Sequence, residues 1–135
     1  MTAITRKAYN KCSGSSGPIL IVDDESDIRD MLAMAISSHG HEVKVAAHFF
    51  TALRIMTNDS TIRCMLLDYN MPGMPTRSFM KQVRALYPNL PVILMTAADC
   101  VEAKARELGL GRILGKPFEI EDCLALINGA MQSPA

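Results

Sequence analysis

A chain of 135 residues with 14 basic and 14 acidic side chains and no net charge is about one domain in size and can bury a full core without staples. The balance excludes a globally charge-driven affinity for nucleic acid or a membrane surface, so any steering of a partner has to be local. No apolar run approaches the roughly 18 residues of a membrane span, and the amino terminus lacks the apolar centre of a signal peptide, so a cytoplasmic protein is expected.

Residues 1–17 carry Arg6, Lys7 and Lys11 without an acid and finish in a Ser/Gly stretch, which reads as a loose, mildly basic arm before a domain spanning 18–131. Ile19-Leu20-Ile21-Val22 is an unbroken apolar run, as suits a strand buried on both faces, and it ends abruptly in Asp23-Asp24-Glu25. From Ser26 to His39, the residues Ile28, Leu32, Ala35 and Ile36 recur at helical spacing, with Asp24 able to cap the first turn and Gly40 to end the helix. His41 to Ala46 alternates polar and apolar residues like an edge strand covered on one face.

Phe49, Phe50, Leu53 and Met56 predict a second helix that closes near Asn58-Asp59, and a third strand, Cys64-Met65-Leu66-Leu67, ends in Asp68. Pro72, Gly73 and Pro75 rule out regular structure over Tyr69 to Pro75. A third helix then runs from Thr76 to Tyr87 on Phe79, Val83 and Leu86. Pro91 to Met95 is a fourth strand ending in Thr96. Asp99 can cap a fourth helix that turns Val101, Ala105 and Leu108 inward and stops at Gly109. Arg112 to Gly115 is a short fifth strand ending in Lys116-Pro117. Glu119 to Met131 forms a fifth helix on Ile120, Cys123, Leu124 and Ile127, followed by a short tail over 132–135.

Five strands alternating with five helices require right-handed crossovers and a parallel sheet covered on both faces, an α/β doubly wound, flavodoxin-like architecture. The weaker second strand at one edge fits the order 2-1-3-4-5. The crevice between the carboxyl ends of strands 1 and 3 is then the expected ligand site, and Asp23, Asp24 and Asp68 fall there. Carboxylates held that close must be compensated by protons or by a divalent cation with oxygen ligands.

The four cysteines form no Cys-x-x-Cys pair and have no histidine at ligand spacing, which argues against a metal-thiolate site. Cys64 and Cys123 read as small core residues, and Cys12 lies in the arm. The ten methionines, among them Met31, Met34 and Met80, suit adaptable core filling or an interface. His39, His41 and His48 read as surface residues.

Four pieces in order, Ile-Leu-Ile-Val-Asp23-Asp24-Glu25, Leu-Leu-Asp68-Tyr-Asn-Met-Pro-Gly-Met, Met-Thr96-Ala97 and Gly-Lys116-Pro117-Phe118, resemble the receiver domain of bacterial two-component response regulators. The resemblance implies that Asp68 is the phosphoacceptor, attacking phosphorus donated by a phosphohistidine on a sensor histidine kinase or phosphotransfer protein. It further implies Mg²⁺ held by Asp24, Asp68 and the backbone carbonyl of Asn70, with Asp23 acting through water. Thr96 and Ala97 would bind the phosphoryl group and Lys116 would balance its charge. Such a ligand list suits magnesium, which takes one or two carboxylates and keeps several waters.

The chain departs from that family at Ile113, where receivers usually carry Tyr or Phe, so an aromatic switch of the usual kind cannot operate. A shifted loop or the fourth helix has to carry the change instead, or coupling is weak. Pro75-Thr76 stands in place of the usual Asp-Gly, Phe49 replaces a turn glycine, and the segment from Thr96 to Gly109 is slightly short.

The leading expectation is a stand-alone receiver acting through protein–protein contacts, without direct nucleic-acid or membrane binding, as a monomer or weak homodimer and not as an enzyme. Two further classes compete with it. A phosphohydrolase using Asp68 would want a second acid two residues on, and Asn70 cannot donate a proton in that place. A phosphorylation-independent interaction module is favoured by Ile113 and disfavoured by the intact acids, threonine and lysine.

Overall fold

The computed structural model describes residues 17–132; the proposed arm through residue 16, with Cys12, and residues 133–135 of the tail lie outside them, while Gln132, expected in the tail, is the last residue of the final helix. Five parallel strands form one sheet in the order β2-β1-β3-β4-β5. They are β1 (Ile19–Val22), β2 (Val43–Ala46), β3 (Cys64–Asp68), β4 (Val92–Ala97) and β5 (Ile113–Lys116). The helices between and after them are α1 (Ser26–Ser37), α2 (Phe49–Asn58), α3 (Thr76–Leu86), α4 (Val101–Leu108) and α5 (Ile120–Gln132), with one 3-10 turn, Ala98–Cys100, before α4.

The unbroken apolar strands are buried because both sheet faces are covered, as the sequence predicts. Alternate residues of β1 feed two cores. Leu20 and Val22 pack with Phe49, Ala52, Phe79 and Val83 on the side of α2, α3 and α4, whereas Ile19 and Ile21 pack with Leu32, Ile36, Cys123 and Ile127 on the side of α1 and α5. Leu32 and Ile36, one turn apart on α1, are fully buried, a contribution of roughly 1.5–3 kcal/mol each. Met31 and Met34 point the other way into solvent, while Met80 is buried. Cys64 and Cys123 are core residues, and burial pushes their thiols up to about 12 and about 11 respectively, so neither is reactive near neutral pH.

Several boundaries differ from the sequence expectation, each for a local reason. Leu86 is 60% exposed, because α3 ends there and the next residue, Tyr87, turns inward against the core in its place. Asp24 does not cap α1: Glu25 holds the N-cap position with no side-chain cap among the described residues, and the Glu25 N–H is taken by Asp23 Oδ1 at 2.9 Å. Asp99 is absorbed into the 3-10 turn, leaving Cys100 at the N-cap of α4. Val45 is 43% exposed on the outermost strand, which has a neighbour on one side only. His41 is half-buried rather than a free surface residue.

Gly109 ends α4 in the left-handed conformation, φ 66°, where a side chain would be strained. Just before β1, Gly17 lies so close to the Thr61 carbonyl and the Arg63 stem that an added Cβ would collide with both.

Candidate functional site

Strand register assembles the site. Val22 pairs with Leu67, so the next residues, Asp23 and Asp68, emerge side by side at the switch in strand order. Asp68 pairs with Met95, while Thr96 pairs with Gly115 and Ala97 with Lys116. One polar end after another is thus delivered to the same edge by backbone pairing alone.

The acids converge. Asp23, Asp24 and Asp68 each present a carboxylate oxygen within 4.8 Å of the others. Asp23 and Asp68 are buried, and Asp24 is exposed. Lys116 Nζ donates to Asp68 Oδ1 at 3.0 Å and stands 3.7 Å from Asp23 Oδ2 and 3.8 Å from Glu25 Oε1. Asp68 Oδ1 also accepts the Asn70 backbone N–H at 3.4 Å. Thr96 is buried beside this edge and Ala97 is exposed.

Asp23 Oδ2 is buried and has no hydrogen-bond partner among the described residues; the Lys116 ammonium is within ion-pair range but too far to donate. An orphaned, buried carboxylate oxygen beside two further carboxylates fits a hard divalent cation. Burial pushes the Asp23 carboxyl above its ordinary range; the Glu25 N–H opposes this, the Asp68 charge adds to it and the Lys116 charge opposes it. For Lys116, burial acts to lower the pKa, but the hydrogen bond and charge of Asp68, helped by Asp23 and Glu25, outweigh it and hold the ammonium above its usual range. A permanent cation and a set of oxygen ligands can together compensate charge on a phosphoryl group.

Some participants escaped the sequence reading. The Arg29 guanidinium, at the end of the first turn of α1, donates to the Asp23 carbonyl at 2.8 Å and so ties the helix to the acidic turn. The Thr76 hydroxyl donates to the Tyr69 carbonyl at 2.6 Å, bracing the loop after Asp68 from the first residue of α3. Both bonds join elements through backbone carbonyls, which no residue pattern announces. Ile113 is half-buried against the α2–α3–α4 core and pairs with Leu94. A separate cleft of about 400 Å³, lined by Met56, Arg63, Tyr87 and Leu90 among others, opens at the amino ends of the strands, away from the acids.

The chain belongs to the response regulator receiver domain family, whose model matches residues 19–128. These domains are signalling modules of two-component systems, in which phosphorylation carries the signal. The chain is 36% identical over 117 residues to the DNA-binding transcriptional regulator NtrC of Proteus hauseri, an alignment covering 85% of this chain and 24% of that protein. It thus spans about a quarter of the length of most of the curated relatives it matches. Among solved structures, the receiver domain of NtrX from Brucella abortus superposes with a TM-score of 0.78 at 28% identity, covering 85% of this chain and 98% of that one. The Vibrio cholerae chemotaxis protein CheY4 gives 0.76 at 30% identity, covering 84% and 98%. Among the described residues no helix is long and apolar enough to cross a membrane.

Proposed function

We propose that this domain is a phosphoacceptor switch: Asp68 receives a phosphoryl group from a phosphohistidine on a sensor histidine kinase or phosphotransfer protein and passes the state on through protein–protein contacts. The observation that carries the reading is the pairing of a buried Asp68 carboxylate with the Lys116 ammonium at 3.0 Å beside an orphaned Asp23 oxygen. An Asp68 oxygen attacks phosphorus as the bond to the imidazole nitrogen breaks, giving an acyl phosphate and a neutral histidine. Such a transfer depends on in-line positioning and on compensation of the equatorial oxygens.

The residues divide that task. Asp24, Asp68 and the Asn70 carbonyl would hold Mg²⁺, with Asp23 acting through water, and the bound ion would supply charge neutralisation at the phosphoryl oxygens. Lys116, already ionised and drawn to Asp68, transfers its hydrogen bond to the incoming phosphoryl group. Thr96 donates its hydroxyl to another of the oxygens, and the small, exposed Ala97 leaves room for them. The cytoplasm is the expected compartment. Target contacts, not turnover of a substrate, constitute the output, since Asn70 supplies no acidic proton for hydrolysis.

The test follows amide NMR shifts in wild type and Asp68→Ala during titration with Mg²⁺ and beryllofluoride, a phosphoryl mimic. Metal-dependent shifts that reach β5 and α5 in wild type and vanish in Asp68→Ala are the expected result. Shifts confined to the acidic crevice would mean phosphorylation without output. No metal-dependent response would leave a constitutive interaction module, the reading that Ile113 favours.

A further inference from the structure

Tyr69 follows Asp68 directly and is held on three sides. Its backbone N–H donates to the Met95 carbonyl on β4 at 2.9 Å, and its own carbonyl accepts the Thr76 hydroxyl on α3 at 2.6 Å. The side chain then crosses to α4. Its hydroxyl lies 3.2 and 3.1 Å from the two carboxylate oxygens of Glu107, to which it donates. Lys104 Nζ donates to the same hydroxyl oxygen at 3.0 Å and stands 4.2 Å from the ring centre and 3.5 Å from Glu107 Oε1. The three side chains therefore close into one hydrogen-bonded group. The hydrogen bond to Tyr69 outweighs the opposing desolvation, so that the Lys104 pKa is raised.

The remaining packing of α4 is shallow, with Leu108 of its last turn lying against the core. Among the described residues it buries none of its side chains; Val101, Ala105 and Leu108 are only half-covered. A helix of eight residues has no stability of its own in water and depends on its tertiary contacts. Elements of that kind open most readily and are the ones a signal can move. At β5, Ile113 has no ring and no polar atom with which to hold or release this helix.

We propose that Tyr69 is the positioning residue through which the state of Asp68 reaches α4, in place of an aromatic switch on β5. The proposal rests on the phosphoacceptor reading of Asp68. In the unmodified domain the Tyr69 hydroxyl clamps α4 through Glu107 and Lys104. The Met95 carbonyl that holds the Tyr69 backbone belongs to the residue before Thr96. A Thr96 hydroxyl drawn to a phosphoryl group on Asp68 therefore displaces the strand end to which Tyr69 is pinned. The ring withdraws, the polar group opens and α4 is released for a partner protein to read.

Hydrogen exchange of the α4 amides, recorded with and without Mg²⁺ plus beryllofluoride, tests this. Without ligand, Tyr69→Phe, which keeps the ring, is expected to speed α4 exchange about three- to tenfold, the loss of one net hydrogen bond. Glu107→Ala, which leaves the Lys104 bond to the Tyr69 hydroxyl, should speed exchange less, the double variant should add little to Tyr69→Phe, and Glu107→Gln, which keeps an acceptor, should retain slow exchange. With ligand, wild-type α4 should accelerate to the rate of Tyr69→Phe. That variant should not accelerate further, while the amides of Asp24, Asn70 and Thr96 shift equally in both proteins. Unchanged α4 exchange in ligand-free Tyr69→Phe would overturn the clamp, as would a full ligand-induced acceleration persisting in that variant. Absence of any wild-type response at Asp24, Asn70 and Thr96 would instead overturn the phosphoacceptor reading, and the coupling with it.

Discussion

Lys116 donates to Asp68 Oδ1 at 3.0 Å from the far side of β4, so the cation at the site is supplied by a strand that is not a neighbour of the one bearing the acid. With a side chain 24% exposed against 3% for Asp68, the pair is largely desolvated, and its loss has to be felt as an unpaired carboxylate. Breaking a buried pair costs about 3–5 kcal/mol, and the partial exposure of Lys116 reduces this to about 1–2 kcal/mol. Lys116→Ala is therefore expected to lower the unfolding free energy of the metal-free domain, read from urea melts, by that amount. Calorimetric Mg²⁺ affinity should be retained or increased, because the ammonium no longer competes for the same oxygens. A variant as stable as wild type would refute the assignment.

Asp23 gives the opposite sign. Its carboxylate is fully buried, and Oδ2 lacks a hydrogen bond among the described residues. Asp23→Asn removes one like charge beside Asp68 and should stabilise the metal-free domain by about 1 kcal/mol. Magnesium should do less for the variant than for wild type, where an ion present at a hundredfold its Kd adds about 2.7 kcal/mol by mass action. Urea melts with and without Mg²⁺ decide the point. A destabilised metal-free variant would count against like-charge crowding at this turn.

The two adjacent phenylalanines separate cleanly in their expected effects. Phe49 is buried and stacks on Phe79 with ring centroids 4.3 Å apart and planes 16° apart, whereas Phe50 is 71% exposed. Phe49→Ala should cost about 3–5 kcal/mol through the cavity it leaves; Phe50→Ala should change stability by less than about 0.5 kcal/mol. Equal losses in denaturant melts would mean that the stack is not formed.

How much of this was legible in the residues follows from what each feature depends on. Strand identity and order could be read because unbroken runs such as Ile19–Val22 and Cys64–Asp68 are explained only by burial on both faces. The placement of Asp23, Asp68, Thr96 and Lys116 followed from that order, since register carries each one to the same edge. What the pattern did not yield depends on the ends of elements and on backbone acceptors. Leu86 satisfies the helical period but falls on the last residue of α3. The contact of Tyr69 with α4 spans 38 residues of sequence, and neither Tyr69 nor Glu107 has a local signal. Phe49 and Phe50 were indistinguishable by composition, because the helix phase alone decides which of them meets Phe79.

Stability should also depend on pH through His41, which sits half-buried just before β2. Burial lowers its pKa, and the nearby Arg63 and His39 lower it further. The folded domain thus binds a proton at His41 less readily than the unfolded chain does. Above the unfolded value of about 6.5 both states are neutral there and the group has no effect. As pH falls through that value the unfolded chain takes up the proton first, so stability declines until the folded pKa is passed and then levels off. Urea midpoints measured between pH 7.5 and pH 5 should fall in wild type, and the part of that slope due to His41 should be absent in His41→Asn. The depressed Asp59 carboxyl, held at about 2 by its bonds to Thr61 and by Lys44, contributes stability that is present above about pH 4 and is lost only as pH falls below it, outside the His41 window. An identical slope in wild type and His41→Asn would exclude His41 as its source.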